Sequence, residues 1–249
     1  MVLWVFGYGS LIWKPSFSYE ERVVGYVKNY RRVFHQACVD FRGTQQRPGR
    51  TLTLEEQEGA VTWGVAYRVT ASVEAQLVEA YLNQRERTYD VRALIDVYTA
   101  ESPNTPAVSD ALTYIATPSS ANLWYLGPAP LHVMAEQIAR SRGPAGENHE
   151  YLFRLEESLR QIGAACVDTE IVELANEVRK FLHLDHEVPK ILIRQALQNR
   201  QRDLDVMAGS NGDDSLRRRV CSVGDEDATT PMRMAWGQHY SGALQVIAS

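Results

Sequence analysis

The sequence predicts an α+β fold: a small β-barrel or strongly curved sheet with surrounding helices. Short apolar runs rich in β-branched and aromatic residues recur between residues 2 and 69, with turn chemistry between them. Helical periodicity replaces them at Ser72 to Arg85 and returns after residue 131. With 249 residues, 45% of them hydrophobic and 23% charged, the chain is long enough for one substantial core followed by a tail. The predicted boundaries are a main domain over residues 1–188 and a C-terminal extension over 189–249, partly helical or disordered.

The first element is Val2 to Phe6, an apolar run that reads as a buried strand and breaks at Gly7-Tyr8-Gly9-Ser10-Leu11. Gly7 and Gly9 let the chain turn sharply and bring backbone N–H groups near a ligand, a nest suited to a carboxylate or oxyanion. A tight turn between two strands explains the same residues. A phosphate loop fits worse, since there is no Gly-x-x-x-x-Gly-Lys-Ser/Thr and no third glycine opening a helix. Strands are then expected at Val23–Val27, Arg31–Phe34, Thr51–Leu54 and Thr62–Val69, with loops at Asp40–Thr44 and Arg47–Arg50.

Ser72 to Arg85 reads as a helix with Val73, Leu77, Val78, Tyr81 and Leu82 along one face. A strand pair is expected at Ala93–Tyr98 and Ala111–Ala116, and helices at Leu131–Ser141, Glu150–Gly163 and Glu170–Leu182. In the second of these helices Tyr151, Leu152, Leu155, Leu159 and Ile162 face the core. Beyond Pro189, the helical-looking stretch Ile191–Leu204 gives way to the polar run Ala208–Asp214 and a basic triplet at Arg217–Arg219. That is the composition of a tail outside the fold, unless the apolar stripe within Ile191–Leu204 packs on the domain.

A net charge of −5 leaves no basic footprint for nucleic acid, and no apolar run reaches the roughly 18 residues that span a bilayer. The expected partner is a small molecule. Cys38, Cys166 and Cys221 are odd in number and far apart, which gives neither a disulfide framework nor a structural zinc site and suits a reducing compartment. With no signal-peptide pattern at the start, a cytoplasmic location is expected. His183-x-x-His186 lacks further ligands at a metal-binding spacing and reads as surface, so no metal is expected. Cys38 and His35, three apart on a strand, would point to opposite faces and not form a nucleophilic dyad.

Arg85-Glu86-Arg87-Thr88-Tyr89 lies where the Ser72 helix meets a strand. A carboxylate there can face a pocket on a rigid support, and partial burial would raise its pKa toward working pH, which makes Glu86 a candidate general base. A solvated ion pair with its flanking arginines explains the same residues. Asp40, Arg42 and Arg50 either orient substrate carboxylates or pin loops.

The ordered set of Gly-Tyr-Gly-Ser-Leu after the first strand, Asp40-x-Arg42-Gly43, Pro48-Gly49-Arg50, Trp63-Gly64-Val65-Ala66-Tyr67, Tyr81-Leu82-x-x-Arg85-Glu86, Tyr125-Leu126-Gly127-Pro128 and Gly143-Pro144-x-Gly146-x-Asn148-x-Glu150-Tyr151-Leu152 resembles the ChaC-type γ-glutamylcyclotransferases over residues 1–182. The wording around Glu86 and the ending Ala248-Ser249 resemble the plant members most. The resemblance implies a γ-glutamylcyclotransferase-like α+β fold built on a small β-barrel, with residues 1–188 as the catalytic domain. It also implies a cofactor-free lyase reaction that turns reduced glutathione into 5-oxoproline and cysteinylglycine. By motif, Tyr8, Gly9, Ser10 and Leu11 would line the substrate loop and Glu86 would be the catalytic acid/base. Tyr151 resembles a substrate-contacting tyrosine and reads equally as helix-face core. Phe41 stands where the family commonly has histidine. Two other functions are compatible with the chain: a non-catalytic module of this fold that binds a γ-glutamyl compound or a protein, and a cyclotransferase for other γ-glutamyl amino acids or amines.

Overall fold

The four short runs expected between residues 23 and 69 join into two long strands. The computed structural model describes residues 2–70, 72–184 and 219–222. After β1 (Leu3–Gly7), β2 (Glu21–Cys38) and β3 (Gly49–Val69) form one antiparallel hairpin whose register runs from Glu21↔Arg68 to Cys38↔Gly49. Where sequence reading placed breaks, the structure places bulges, with register shifts between Lys28 and Tyr30 and between Val33 and Gln36. At the first, Asn29 takes a positive φ of 61° and its side-chain oxygen accepts the Gly59 N–H at 2.9 Å. A bulge bends and twists a strand without ending it, so a long hairpin can wrap a core.

β1 pairs antiparallel with β3 and parallel with β5 (Val108–Ile115), which pairs antiparallel with β4 (Val91–Val97). The expected barrel does not close. Among the described residues the sheet is open, in the order β2-β3-β1-β5-β4 with a strand β8 over Arg219–Ser222 outermost, and an isolated bridge joins Tyr26 of β2 to Tyr98 just past β4. The reason lies on the outer edge of β4, where Val91–Leu94 pair with β8 (Arg219–Ser222) and leave no continuous ladder to β2. A strand from the C-terminal extension is thus part of the sheet, although the extension was expected to lie outside the fold. Ile191–Leu204 and the 188/189 boundary lie outside the described residues.

α1 (Ser72–Arg85) crosses the β1/β5 side, burying Ala75, Val78 and Leu82 against Val5, Leu11, Val69 and Leu112. Val73, Leu77 and Tyr81, expected on the core face, are exposed by 67%, 65% and 38%. The apolar residues of this helix form two lines, and the one built on Ala75, with the smaller side chain, fits against the sheet. On the other side α2 (Leu131–Arg140), α3 (Asn148–Ile162) and α4 (Thr169–Phe181) cover the hairpin, with Leu152, Leu155, Leu159, Ile138 and Val178 fully buried. Between α2 and α3, β6 (Arg142–Gly143) and β7 (Gly146–Glu147) make a minimal hairpin. Asp168 caps α4 by accepting from the N–H groups of Glu170 and Ile171, and the buried Glu156 pairs with Arg179 to tie α3 to α4.

The edge pairing has a measurable consequence. A chain ended at residue 188 should keep its main thermal transition but self-associate, because Val91–Leu94 then present unpaired backbone groups on an exposed edge. Size-exclusion chromatography with light scattering, over a concentration series of truncated and full-length protein, reads this directly. Identical monomer populations in the two would show that β8 does not guard that edge.

Candidate active site

The strand-to-loop transition after β1 is set by close packing. A side chain at Gly7 would place its Cβ 2.4 Å from Leu11 Cβ, so the chain folds back there only because Gly7 has none. A 3₁₀ turn over Ser10–Ile12 follows, closed by the Ile12 N–H on the Gly9 carbonyl at 2.9 Å and the Lys14 N–H on the Ser10 carbonyl at 2.9 Å. Three side chains fix this loop from outside. Arg32 of β2, buried, donates its Nε–H to the Tyr8 carbonyl at 2.9 Å and also holds Asp168. Tyr67 of β3 donates to the Leu11 carbonyl at 2.8 Å, and Arg85 at the end of α1 donates Nη2–H to Ser10 Oγ at 2.5 Å.

Glu86 is the first residue after α1, and its N–H still closes on the Leu82 carbonyl at 2.8 Å, so the last helical turn holds it rigidly. Its side chain is 17% exposed, with Oε1 3.0 Å from Arg85 Nε. Burial raises the Glu86 pKa above the usual carboxylate range, and the Arg85 charge opposes that rise. Three phenols from separate elements surround it. Tyr8, Tyr89 and Tyr151 are each held neutral, first by burial and then in part by the Glu86 charge beside them. The Tyr8 hydroxyl donates to the Tyr114 carbonyl at 2.6 Å and the Tyr89 hydroxyl to the Leu52 carbonyl at 2.7 Å. Tyr151 leans its ring edge on Trp13 and Phe34, and its hydroxyl reaches the backbone at Gly9, where an added Cβ would lie 2.9 Å from it. The result is one largely buried polar cluster that joins the glycine loop, the end of α1 and the first turn of α3.

The turn after β2 clamps two sides of this cluster. Asp40 accepts from Arg87, the neighbour of Glu86, through Nε at 3.0 Å and through Nη2. Arg42 donates to the Glu147 carbonyl at 2.9 Å and to Glu150 at 2.6 Å, next to Tyr151. Cys38 lies behind that turn, its sulfur accepting the Arg42 N–H at 3.2 Å, and burial raises its thiol pKa. Arg50 donates to the carbonyls of Phe34 and Gly127 and to Gln137, so it ties β2 and α2 to the Gly127 loop. His35 is held by Glu55, which also accepts from Arg31 and Tyr125, and forms no dyad with Cys38. Among the described residues no cluster of three or more His, Cys, Asp or Glu could hold a metal ion, and no helix is long and apolar enough to cross a membrane.

A family model described as ChaC-like protein matches residues 3–181, nearly all of β1 to α4. This chain belongs to the ChaC-like family. Gamma-glutamylcyclotransferase 2-1 of Arabidopsis thaliana is 49% identical to it over 194 residues, covering 77% of this chain and 89% of that protein. Glutathione-specific gamma-glutamylcyclotransferase 1 of Rattus norvegicus is 40% identical over 196 residues, covering 77% and 86%. In the crystal structure of a yeast gamma-glutamyl cyclotransferase specific to glutathione, the match has a TM-score of 0.62 and 30% identity, over 73% of this chain and 99% of that one.

In this ChaC-like chain, Tyr8, Gly9, Ser10, Glu86 and Tyr151, five residues spread over 144 positions, come together in one cluster. Leu11 does not join them by its side chain, which is packed with Val78 and Leu82 and anchors the loop to α1. Sequence reading left out Tyr89, Arg32 and the bridging role of Arg85. The Arg-Glu-Arg-Thr-Tyr string pointed to the first, since residues three apart in a turn share a side. Nothing in the sequence marked Arg32 as the loop's buried anchor.

Proposed function

We propose that this protein cleaves the γ-glutamyl bond of reduced glutathione by intramolecular cyclisation, releasing 5-oxoproline and cysteinylglycine, with Glu86 as general acid/base. The observation that carries this reading is a carboxylate with a raised pKa at the rim of a glycine loop, in a chain belonging to the ChaC-like family and related to glutathione-specific cyclotransferases.

The substrate supplies its own nucleophile. Its α-amino nitrogen attacks the γ-carbonyl carbon to close a five-membered ring, and the bond from that carbon to the cysteine nitrogen breaks. Glu86 takes a proton from the α-ammonium and returns one to the departing cysteine nitrogen; the second proton shed by the attacking nitrogen as the ring closes ends on the released amine as its ammonium, so no water is consumed and the carboxylate ends as it began. A positioned acid/base of this kind contributes roughly 10²- to 10⁴-fold. Folding the γ-glutamyl chain into attack geometry supplies part of the ~7–11 kcal/mol available from orientation. The phenol of Tyr151 and backbone N–H groups around Gly9 and Ser10 hold the α-carboxylate and meet the developing oxyanion, while Tyr8, its proton on the Tyr114 carbonyl, lines the loop. The reaction runs in the reducing cytosol, which suits a chain whose three cysteines are odd in number and far apart in sequence.

Purified protein given reduced glutathione without added metal or nucleotide should release both products in equal amounts, followed by mass spectrometry. Turnover of another γ-glutamyl amino acid or amine but not of glutathione would overturn the substrate. No turnover of any such compound would overturn the enzyme reading in favour of a binding module.

A further inference from the structure

We infer that Arg85 is the positioning residue of this site: its guanidinium joins Ser10 of the glycine loop to Glu86, and so holds the acid/base against the substrate loop in its ionised, proton-accepting form. The inference rests on Glu86 being the acid/base.

The geometry is that of one fork with two partners. Nη2–H donates to Ser10 Oγ at 2.5 Å and Nε lies 3.0 Å from Glu86 Oε1, while Nη1 is 3.5 Å from the Lys14 carbonyl. Adjacent residues inside a helix diverge by about 100° and do not meet. Arg85 reaches Glu86 because α1 ends between them, with the Tyr89 N–H turning back onto the Glu86 carbonyl at 2.9 Å. The planar guanidinium presents donors in fixed directions, so one side chain can serve two acceptors at a set separation, which an ammonium does with less definition.

The charges around Glu86 make the contact consequential. Facing or flanking it are Tyr8 from the loop, Tyr89 from the turn, Tyr114 from β5 and Tyr151 from α3, all kept neutral by burial. Behind Tyr89 and Tyr151 lies Cys38 of β2, whose thiol burial also keeps neutral. The next cation along, Arg87, is turned onto Asp40, and Arg32 acts on Tyr8 and Tyr151. Among the described residues Arg85 is the cation that acts on the Glu86 carboxylate. Without it, burial alone would govern, and the base would hold its proton to higher pH.

The test is the pH profile of glutathione cleavage by full-length wild-type protein and by Arg85→Gln, Arg85→Lys and Ser10→Ala. Removing a cation in contact with a carboxylate should move the acid limb of kcat/KM upward by about one pH unit, at the low end of such effects. Arg85→Lys keeps the charge and should leave the limb within a few tenths of wild type, with a raised KM. Ser10→Ala frees one arm of the fork and should raise KM without moving the limb. Titration of the Glu86 carboxyl carbon by NMR in the same proteins reads the shift independently of turnover, and in Arg85→Lys alone should Arg85→Gln not fold. A uniform loss of activity in Arg85→Gln, with limb and carboxyl titration unmoved, would reduce Arg85 to a structural tie and overturn the inference. So would a carboxyl titration in Arg85→Lys displaced as far as loss of the charge predicts. Full activity in Glu86→Gln would instead remove the acid/base reading on which it rests.

Discussion

Replacing Glu86 with Gln is expected to lower kcat for glutathione cleavage by at least about 10²-fold, the lower end of what a general acid/base contributes, while the protein folds normally. The exchange keeps the shape of the side chain and removes its ability to carry a proton in both directions. Two pH effects separate this from simple damage. In the wild type the acid limb of kcat/KM should lie above the ordinary carboxylate range, because burial raises the Glu86 pKa and activity needs its ionised form. Stability should move in the opposite sense. A carboxyl group whose folded-state pKa exceeds its unfolded value favours folding below the unfolded pKa and loses that contribution as pH rises through the folded pKa. At neutral pH the wild type therefore carries a penalty that Gln lacks, and Glu86→Gln should melt no lower than wild type. Calorimetry beside steady-state kinetics checks both. Near-normal kcat would place the base elsewhere, and Asp40, bound to Arg87 next to Glu86, would be next to test.

The parts of this molecule that sequence reading reached are those written in local patterns. Helical period placed α1 to α4 within a few residues, and Asp168 before Glu170–Leu182 reads as a cap once the helix is drawn. Strand content was legible and strand length was not. Asn29 and Gly59 look like turn residues, yet here they sit opposite one another in a bulge that continues both strands. The face of α1 was misread because Val73, Leu77 and Tyr81 are as apolar as Val78 and Leu82, and only the shape of the β1/β5 surface chooses between them. The pairing of Arg219–Ser222 with β4 connects residues more than 120 positions apart through backbone groups, which carry no sequence signature. The same distinction runs through the site. Tyr8, Ser10 and Glu86 sit in motifs, whereas Arg32 reaches the Tyr8 carbonyl from mid-strand, and nothing around it in the chain sets it apart from Arg31, which pairs with Glu55.

Gly9→Ala should cost glutathione cleavage about 10²-fold, the loss expected when a reacting group is displaced by roughly an ångström. The added Cβ would lie 2.9 Å from the Tyr151 hydroxyl and 3.3 Å from Leu52 Cδ1. Leu52 can give by a few tenths of an ångström, since only its terminal methyl is involved. Tyr151 has less room, because its ring is wedged against Trp13 and Phe34 with centroids 5.5 and 6.0 Å away. The loop must therefore move, and with it the Tyr8 carbonyl on Arg32 and Ser10 on Arg85. Tyr151→Phe removes the atom that the new methyl meets, so the double variant should regain most of the thermal stability lost by Gly9→Ala. Activity in the single variant Tyr151→Phe then separates the two roles left open for this tyrosine. A drop with unchanged melting temperature identifies its hydroxyl as a substrate contact, and full activity identifies the ring as core. If Gly9→Ala keeps wild-type kinetics, the loop tolerates displacement and cannot be the element that sets the attack geometry. If Tyr151→Phe fails to restore stability, the cost of the methyl lies in the backbone of the turn and not in the packing of α3 against it.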